Sequence, residues 1–399
     1  MESTPTATRT ATPPIAFFDL QGQFATIRHE ILQAVESVLE SQHFILGTQV
    51  ELFEQEAAAY VESPYAVGCA SGTDALYLAL CALEMGPKDE VITTPFTFVA
   101  TAGSIARTGA RPVFVDIDPE TFNIAPDLVE AAVTEKTRAM IPVHLFGLSA
   151  ALHPLSKIAG KHSLAVVEDA AQAIGATYFG QKVGSIGDFG CFSFFPSKNL
   201  GCAGDGGMVT ARERSMADRL NLLRAHGTKQ KYHSEIIGMN SRLDALQAAI
   251  LRVKLRYLDA WTKARQEHAA LYAQLFEQYG LNDIVSIPRA PSSCGHVYNQ
   301  YVIRCENRDA LRKYLQDNGV PTAVYYPEPL HLQPAFAYLG YSKGDFPHAE
   351  KACTDTIALP IYPELPQEDQ ERVVRTIADF YKSQGQQTSQ HTKRSSQNA

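Results

Sequence analysis

Short apolar runs alternate with helical patterns from about Tyr65 to Thr210, and this alternation constrains the fold more than any other feature of the chain. Repetition of strand, helix and strand is typical of a largely parallel sheet that helices cover on both faces. The run Leu164–Val167 is apolar at every position, as expected for a strand that is buried on both faces. The sequence therefore predicts an α/β domain built on a mostly parallel sheet.

Seven strands are predicted, and the close spacing of the last ones indicates that one of them runs antiparallel. The predicted strands are Ala66–Cys69, Val91–Thr94, Pro112–Val115, Ala139–Val143, Ala165–Glu168, Gly190–Phe194 and Met208–Thr210. The helices predicted between the first five strands are Thr73–Glu84, Phe98–Thr108, Asp127–Thr134 and Ala150–His162.

A smaller α+β domain is predicted after this sheet. The segment Arg242–Tyr272 contains neither Gly nor Pro and carries an apolar stripe with helical spacing, which predicts one long helix leading out of the large domain. Strand Val297–Ile303, helix Arg308–Asn318, a Pro-rich loop at Tyr326–Pro334 and helix Pro366–Tyr381 are predicted to follow. We therefore assign a disordered tail to residues 1–14, the large domain to 15–255, the small domain to 256–382 and a second disordered tail to 383–399.

Charge and composition exclude several classes of protein. The formal net charge is −8, from 35 basic and 43 acidic residues, which is unlike the basic surface of a nucleic-acid-binding protein. No apolar run approaches the roughly 18 residues of a membrane helix, and the N-terminus lacks the apolar stretch of a secretory signal. The seven scattered cysteines form no CxxC pair, as expected for reduced thiols in a cytoplasmic protein.

Asp169 and Lys198 are the candidate catalytic residues. Asp169 ends an apolar strand, and Lys198 lies in a turn-rich segment after Phe194 and Phe195. Pyridoxal 5′-phosphate (PLP) needs an amine for its Schiff base and a carboxylate that keeps its pyridine nitrogen protonated. Taken alone, either residue could be an ordinary solvated charge, since a single lysine usually lies exposed on the surface.

Four further positions could complete such a site. The turn Ser71-Gly72-Thr73 follows a strand and opens a helix, so its backbone amides could hold a phosphate, although it could also be an ordinary helix cap. Ser193 offers a hydroxyl for the same phosphate, and Gln172 could reach the ring hydroxyl of the cofactor. Phe98 could stack on a planar ring or could simply be a core aromatic residue.

Taken together and in this order, the motifs resemble the DegT/DnrJ family of PLP-dependent nucleotide-sugar aminotransferases. They are SGTDAL, TPFTFVATA, VFVDID, VEDAAQA, FSFFPSKNLG, GDGGM and NSRLDALQAA, and the resemblance covers about Ile15 to Tyr381. It implies the fold type I aminotransferase architecture, with a seven-stranded sheet, PLP as the cofactor and a homodimer whose active sites lie at the subunit interface.

The resemblance also implies roles for single residues. Lys198 would form the Schiff base, Asp169 would bind the pyridine nitrogen and Gln172 the ring oxygen. The phosphate would be held by Gly72, Thr73 and Ser193, Phe98 would stack on the ring, and Asn240 would reach the phosphate in the neighbouring subunit. Candidate contacts to the nucleotide sugar are Phe195, Arg224, His226, Lys229, Arg242, Tyr325 and His331. The basic cluster at Arg224–Lys229 could equally be a solvated helix end, and a single loop histidine such as His331 is usually solvated.

The implied reaction is transamination of a nucleotide-linked keto-sugar, with an amino acid, L-glutamate in most family members, as the donor. It would serve amino-sugar biosynthesis for a surface polysaccharide or a secondary metabolite. The segment Phe194-Phe195-Pro196 resembles members that act on 3-keto sugars, whereas 4-keto enzymes commonly carry His at the position of Phe195.

Three alternatives remain open at this point. A PLP-dependent sugar dehydratase of the same fold would carry histidine in place of Lys198, so the lysine argues against it. An aminotransferase acting on non-sugar substrates, or an aminoarene-forming dehydrating enzyme, could use the same scaffold. A non-catalytic sensor or regulatory protein would have no need to retain the set formed by Asp169, Gln172, Ser193 and Lys198.

Overall fold

The structure of the protein, a computed structural model, describes residues 15–230 and 232–395. Its α-helices are α1 Leu20–Ser41, α2 Thr48–Tyr60, α3 Gly72–Ala82, α4 Ala100–Arg107, α5 Pro126–Val129, α6 Leu152–His162, α7 Arg214–Leu223, α8 Ala245–Leu255, α9 Leu258–Gln278, α10 Arg308–Asp317, α11 Pro347–Asp355 and α12 Gln367–Ser395. Its strands are β1 Tyr65–Cys69, β2 Glu90–Thr93, β3 Arg111–Phe114, β4 Thr137–Met140, β5 Ala165–Asp169, β6 Thr177–Tyr178, β7 Gln181–Lys182, β8 Phe189–Ser193, β9 Gly207–Ala211, β10 Thr228–Gln230, β11 His233–Ser234, β12 Val285–Ser286, β13 Cys294–Gly295, β14 Tyr301–Cys305 and β15 Thr356–Leu359.

The largest sheet of the described chain has seven strands in the order β1-β9-β8-β5-β4-β2-β3. Strand β9 is antiparallel to both of its neighbours, and the other strands all run in one direction. All seven predicted strands are confirmed, with ends shifted by a few residues. The predicted antiparallel strand is confirmed as β9, which lies between β1 and β8.

Helices cover both faces of this sheet because side chains of neighbouring strand residues point to opposite sides. On one face, Val167 of β5 and Val209 of β9 pack with the apolar residues of α3 and α7. On the other face, Val166 packs with α6, whereas Phe192 and Met208 pack with α2 and α8. This two-sided burial explains why the strands read as nearly continuous apolar runs.

The C-terminal part of the chain has its own core around the sheet β12-β14-β15 and the helices α9, α10 and α12. Ile15 belongs to that core, and its backbone N–H donates to the carbonyl oxygen of Gly319 at 3.1 Å. The first described residue of the chain therefore packs with the small domain, although we assigned 15–255 to the large one. A single apolar residue carries no sequence signal for such a long-range contact.

The prediction of one long helix over Arg242–Tyr272 is wrong. The chain forms two helices there, α8 and α9, which are separated by Arg256 and Tyr257. Both of these side chains contact the carboxylate of Glu30 on α1. Trp261 then packs against α1 as well. Since these partners are more than 200 residues away in sequence, local periodicity could not predict the break.

The C-terminal helix continues to Ser395, past residue 383, where we placed the start of a disordered tail. Residues 1–14 and 396–399 of the two predicted tails lie outside the described residues. All seven cysteines are free thiols. Within the described ranges, no helix is both long enough and apolar enough to cross a membrane.

Candidate active site

A cavity of about 520 Å³ lies at the edge of the sheet where β1, β5 and β8 end. Ligands of open α/β sheets bind at this edge, outside the carboxyl ends of the strands. The structure brings together nine of the residues predicted from sequence to form the site. They are Gly72, Thr73, Phe98, Asp169, Gln172, Ser193, Phe195, Lys198 and Tyr325.

Asp169 is the last residue of β5, and its carboxylate is buried at the floor of this cavity. Its Oδ2 accepts a hydrogen bond from the Thr101 hydroxyl at 2.7 Å, and its Oδ1 accepts one from the Ala171 N–H at 3.2 Å. Burial raises the pKa of Asp169, while these two hydrogen bonds and the positive charge of Lys198 act in the opposite direction.

Lys198 lies on the turn that follows β8, where its backbone N–H donates to the carbonyl oxygen of Phe195 at 2.9 Å. Burial lowers the pKa of its amine from 10.5 to about 8, and the negative charge of Asp169 partly opposes this shift. In the described part of the chain, no carboxylate forms a direct ion pair with this amine. A substantial fraction of Lys198 is therefore neutral near pH 8, which is the nucleophilic form of an amine.

The N-terminus of α3 provides a site for an anion beside this lysine. The Ser71 hydroxyl caps the helix by accepting from the Asp74 N–H at 3.1 Å, which leaves the N–H groups of Gly72 and Thr73 without an intrahelical partner. A Cβ at residue 72 would come within 2.6 Å of the Ser193 Cβ, so glycine is required for this approach of helix and strand. Backbone amides and the Ser193 hydroxyl thus converge on one side of the cavity.

Gln172 is fixed by two hydrogen bonds. Its Oε1 accepts from the Phe146 N–H at 2.7 Å, and its Nε2 donates to the Tyr326 hydroxyl at 3.3 Å. The second N–H of the same amide can still donate to a ligand. The ring of Phe98, which is 55% exposed, lies 6.3 Å from the Tyr326 ring and lines the cavity.

Sequence reasoning missed two residues that the structure places against these groups. Thr101 lies within the motif TPFTFVATA but was not singled out, and Tyr326 was counted only as part of a Pro-rich loop. That loop is held over the cavity by the Leu330 N–H, which donates to the carbonyl oxygen of Pro95 at 2.8 Å. Thr101 could have been found as a hydroxyl with helical spacing from the aromatic Phe98, but no local signal pointed to Tyr326.

Two predicted substrate contacts, Arg224 and His331, do not line this cavity. Arg224 is buried in an ion pair with Glu54 and donates to the carbonyl oxygen of Gly68 at 2.7 Å, so its guanidinium supports β1. His331 is buried as well, with its Nε2 at 3.1 Å from Glu350 Oε1, and it does not line the cavity. Arg224 is paired with an acid 170 residues away, whereas His331 contacts Glu350 through Nε2 only and its buried Nδ1 has no hydrogen-bond partner among the described residues.

Four other predicted residues lie outside the cavity of the same subunit. They are His226, Lys229, Asn240 and Arg242, all on or near the hairpin formed by β10 and β11. Lys229 pairs with Glu235 at 2.9 Å on the surface, and Asn240 is exposed. None of the four therefore lines the cavity within the single chain.

Comparison with known proteins places the chain in a family. The profile of the DegT/DnrJ/EryC1/StrS aminotransferase family matches residues 25–378. The chain belongs to this family. A protein named pleiotropic regulatory protein from Geobacillus stearothermophilus is 51% identical over 92% of this chain and 99% of its own length. The UDP-N-acetyl-3-dehydro-alpha-D-glucosamine 3-aminotransferase of Acidithiobacillus ferrooxidans is 46% identical over 91% of this chain and 97% of its own.

Solved structures of family members share the fold. The S. venezuelae DesV structure, in complex with a ketimine intermediate, matches with a TM-score of 0.90 at 42% identity and covers 92% of this chain and 99% of its own. NtdA from Bacillus subtilis, solved with bound pyridoxamine phosphate (PMP), matches with a TM-score of 0.84 at 30% identity, covering 94% and 86% of the two chains. The protein is therefore an aminotransferase of the fold type I architecture.

The buried position of Arg224 leads to a stability prediction. Replacing Arg224 by Met leaves the largely buried Glu54 carboxylate without its cation, and we expect the free energy of unfolding to fall by about 3 kcal/mol. Lys229→Met, in the exposed pair with Glu235, is the matched control and should change the free energy by less than about 1 kcal/mol. Urea unfolding of the two variants measures both values. An Arg224→Met variant that keeps its stability but loses affinity for a nucleotide sugar would contradict this assignment.

Proposed function

We propose that the protein is a PLP-dependent aminotransferase that moves an amino group from L-glutamate to C-3 of a nucleotide-linked keto-sugar, in the biosynthesis of an amino sugar for a surface polysaccharide or a secondary metabolite. The observation that carries the proposal is the convergence, in one cavity, of an amine with a lowered pKa, a buried carboxylate and an anion site at a helix N-terminus. These are the three groups that PLP requires of a protein.

The donor set fits PLP group by group. The amides of Gly72 and Thr73 with the Ser193 hydroxyl would hold the phosphate, and Asp169 would pair with the ring nitrogen. The free N–H of Gln172 would donate to the ring oxygen, and the Phe98 ring would cover the ring face. The PMP bound in NtdA is consistent with a cofactor of this class.

When bound, PLP supplies an electrophilic carbon and an electron sink for negative charge that develops on the substrate. Lys198 has two tasks in this chemistry. Its neutral amine holds the cofactor, and once released it can take a proton from one carbon and return it to another. A pKa of about 8 suits both directions of this transfer near neutral pH. Asp169 keeps a negative charge beside the ring nitrogen and so favours the protonated ring.

The names of relatives support a 3-keto sugar as the acceptor. The Acidithiobacillus relative is named a 3-aminotransferase of a UDP-linked 3-dehydro sugar. In this chain Phe195, at the position where 4-keto enzymes commonly carry His, lines the cavity and is 53% exposed. An apolar ring there can pack against the sugar without fixing a hydrogen bond, which is consistent with recognition of a different carbonyl position.

The charge of the cavity supports a homodimer. Of the described residues that line it, Lys198 is the only one with a cationic side chain, whereas Asp169 and Asp205 are acidic. A cofactor phosphate and a nucleotide diphosphate together need more positive charge or more donors than one subunit offers. We infer that the hairpin region of a second copy supplies them, with Asn240 toward the cofactor phosphate and Lys229 and Arg242 toward the nucleotide.

The alternatives are less well supported by the site. The name of the Geobacillus relative suggests regulation, but a regulatory protein has no need to hold a desolvated lysine against a buried carboxylate. A dehydratase would carry histidine in place of Lys198, and an aminotransferase acting on a non-sugar substrate would fail the substrate test below. The experiments that follow separate these possibilities.

The first test is the absorption spectrum. We expect the wild-type protein with PLP to show a near-visible absorption band that shifts to the ultraviolet when L-glutamate is added. Borohydride reduction should attach the cofactor irreversibly to Lys198. Lys198→Ala should lose the covalent attachment and at least about 1,000-fold of the turnover, because the proton-transfer group is removed as well. Mass spectrometry of the reduced protein locates the label.

Lys254→Ala is the matched control for this test. Burial also lowers the pKa of Lys254, but its amine donates to the carbonyl oxygen of Gly201 at 2.7 Å and it does not line the cavity. The control should keep the band and its response to glutamate. A wild-type protein that takes up no PLP would overturn the proposal, and one that binds PLP without responding to any amino donor would favour a sensor or a dehydratase.

A second test uses the pKa of Lys198. Because only the neutral amine reacts, the rate constant for capture of PLP by the apo-protein should rise with pH through a midpoint of about 8, well below the 10.5 of an ordinary lysine. In Asp169→Asn the midpoint should fall, because the charge that raises the pKa of Lys198 is gone. Stopped-flow absorbance from pH 6 to 11 measures both profiles. A wild-type midpoint near 10.5 would show that the amine is solvated.

The substrate class is tested with a panel of UDP- and dTDP-linked 3-keto and 4-keto sugars. With glutamate as the donor, we expect kcat/KM for a 3-keto sugar to exceed that for the matching 4-keto sugar by about 100-fold, the discrimination that pocket contacts ordinarily give. Product analysis by NMR shows which carbon carries the amine. Preference for a 4-keto sugar would refute the assignment to C-3, and amination of non-sugar ketones alone would refute the nucleotide-sugar class.

A further inference from the structure

Two buried threonine hydroxyls form a chain that ends on the catalytic carboxylate. Thr97 Oγ1 lies 3.0 Å from Thr101 Oγ1, and the Thr101 hydroxyl donates to Asp169 Oδ2 at 2.7 Å. The exposed fractions of the three residues are 3%, 0% and 5%. Thr101 is in the first turn of α4, and Thr97 precedes it by four residues in the loop after β2.

The direction of this chain follows from counting protons. A carboxylate can only accept hydrogen bonds, so the single proton of the Thr101 hydroxyl is committed to Asp169. The contact between the two threonines then requires Thr97 to donate and Thr101 to accept. A carboxyl protonated on Oδ2 would instead donate to Thr101 and reverse this order of donors.

The environment of Asp169 makes such donors necessary. Burial raises the pKa of this carboxyl, whereas its hydrogen bond from Thr101 lowers it. The other titratable groups that face Asp169 are Lys198, His144, Cys191 and Tyr326. Among the side chains of the described residues, Thr101 is the one that donates a hydrogen bond directly to the carboxylate.

We propose that Thr97 and Thr101 are positioning residues that act in series, holding Asp169 as a carboxylate with Oδ2 turned to α4 and Oδ1 turned to the cofactor ring. Thr101 acts on Asp169 directly, and Thr97 acts only through Thr101 by polarising its hydroxyl. The inference rests on the proposed function, because the pairing of Asp169 with the ring nitrogen belongs to it.

The test measures PLP binding to the apo-protein rather than turnover. Thr101→Val removes the hydroxyl at nearly constant volume, and we expect the dissociation constant of PLP to rise about tenfold, as for loss of a hydrogen bond to a charged group. The near-visible band of bound PLP should shift in the same variant, because the charge beside the ring changes. Thr101→Ser keeps the hydroxyl and should restore both values to near wild type.

Thr93→Val is the matched structural control. Thr93 is as buried as Thr101, at the end of β2, and its hydroxyl donates to the carbonyl oxygen of Ile141 at 2.9 Å, away from the cavity. Its variant should lower the melting temperature about as much as Thr101→Val but leave the dissociation constant and the band of PLP unchanged. Equal effects of the two variants on PLP binding would overturn the proposal.

The serial arrangement makes a separate prediction for the double variant. Thr97→Val should raise the dissociation constant of PLP by a smaller factor than Thr101→Val. The double variant should match Thr101→Val alone, because residue 97 has no effect on Asp169 once the Thr101 hydroxyl is absent. Multiplication of the two single effects would refute the series. A wild-type protein that binds no PLP would defeat the proposed function, whereas normal PLP binding by Thr101→Val would defeat only this inference.

Discussion

The site depends on the position of the end of strand β5, which the buried carboxylate of Glu168 fixes through hydrogen bonds. Glu168 accepts four hydrogen bonds inside the protein. Its Oε1 takes the N–H groups of Ile186 and Gly187 at 2.8 and 2.7 Å, and its Oε2 takes the Gly184 N–H at 2.7 Å and His144 Nε2 at 2.9 Å. These bonds fix β5 to the loop that leads into β8, so the strand ends that carry Asp169 and Lys198 keep a defined separation.

His144 continues this hydrogen-bond network on the other side of the strand. Its Nδ1 accepts the Ala150 N–H at 3.0 Å, so the ring proton is on Nε2 and is donated to Glu168. The backbone N–H of His144 donates to the carbonyl oxygen of Asp169 at 3.0 Å. The two consecutive acids of β5 therefore have different roles. Glu168 accepts four hydrogen bonds inside the protein, whereas Asp169 accepts two and can still accept one from a ligand.

Much of the fold and of the cofactor half of the site could be predicted from the sequence because their signals are local. The strands are short apolar runs, and the turn at Gly72 and the segment around Lys198 each lie within a few residues of a strand end. In a parallel sheet those ends meet at one edge, so sequence order alone brings Asp169 and Ser193 together. The residues predicted on this basis line one cavity.

The break between α8 and α9 and the positions of two predicted substrate contacts outside the cavity depend on tertiary partners. Arg224 looked like an available cation, but it is used by Glu54, 170 residues away. His331 is used by Glu350, and the break between α8 and α9 follows contacts to Glu30. Residue type and local pattern describe what a side chain could do, whereas its tertiary partner decides whether that capacity remains free. Tyr326 is the converse case, because its tertiary contacts with Gln172 and Phe98 make a loop residue part of the site.

Lys198 and Lys254 are both buried lysines, but their amines have different tertiary partners. Burial lowers the pKa of both amines, so desolvation does not by itself mark the reactive one. The amine of Lys254 donates a hydrogen bond to the carbonyl oxygen of Gly201. Lys198 instead lines the cavity, and its interaction with Asp169 is electrostatic, without a direct ion pair. A direct ion pair with Asp169 would have kept Lys198 protonated and would have withdrawn the carboxylate from a ligand. Asp169 instead accepts hydrogen bonds from the Thr101 hydroxyl and the Ala171 amide. Because its carboxylate does not pair directly with Lys198, the amine can lose its proton and react.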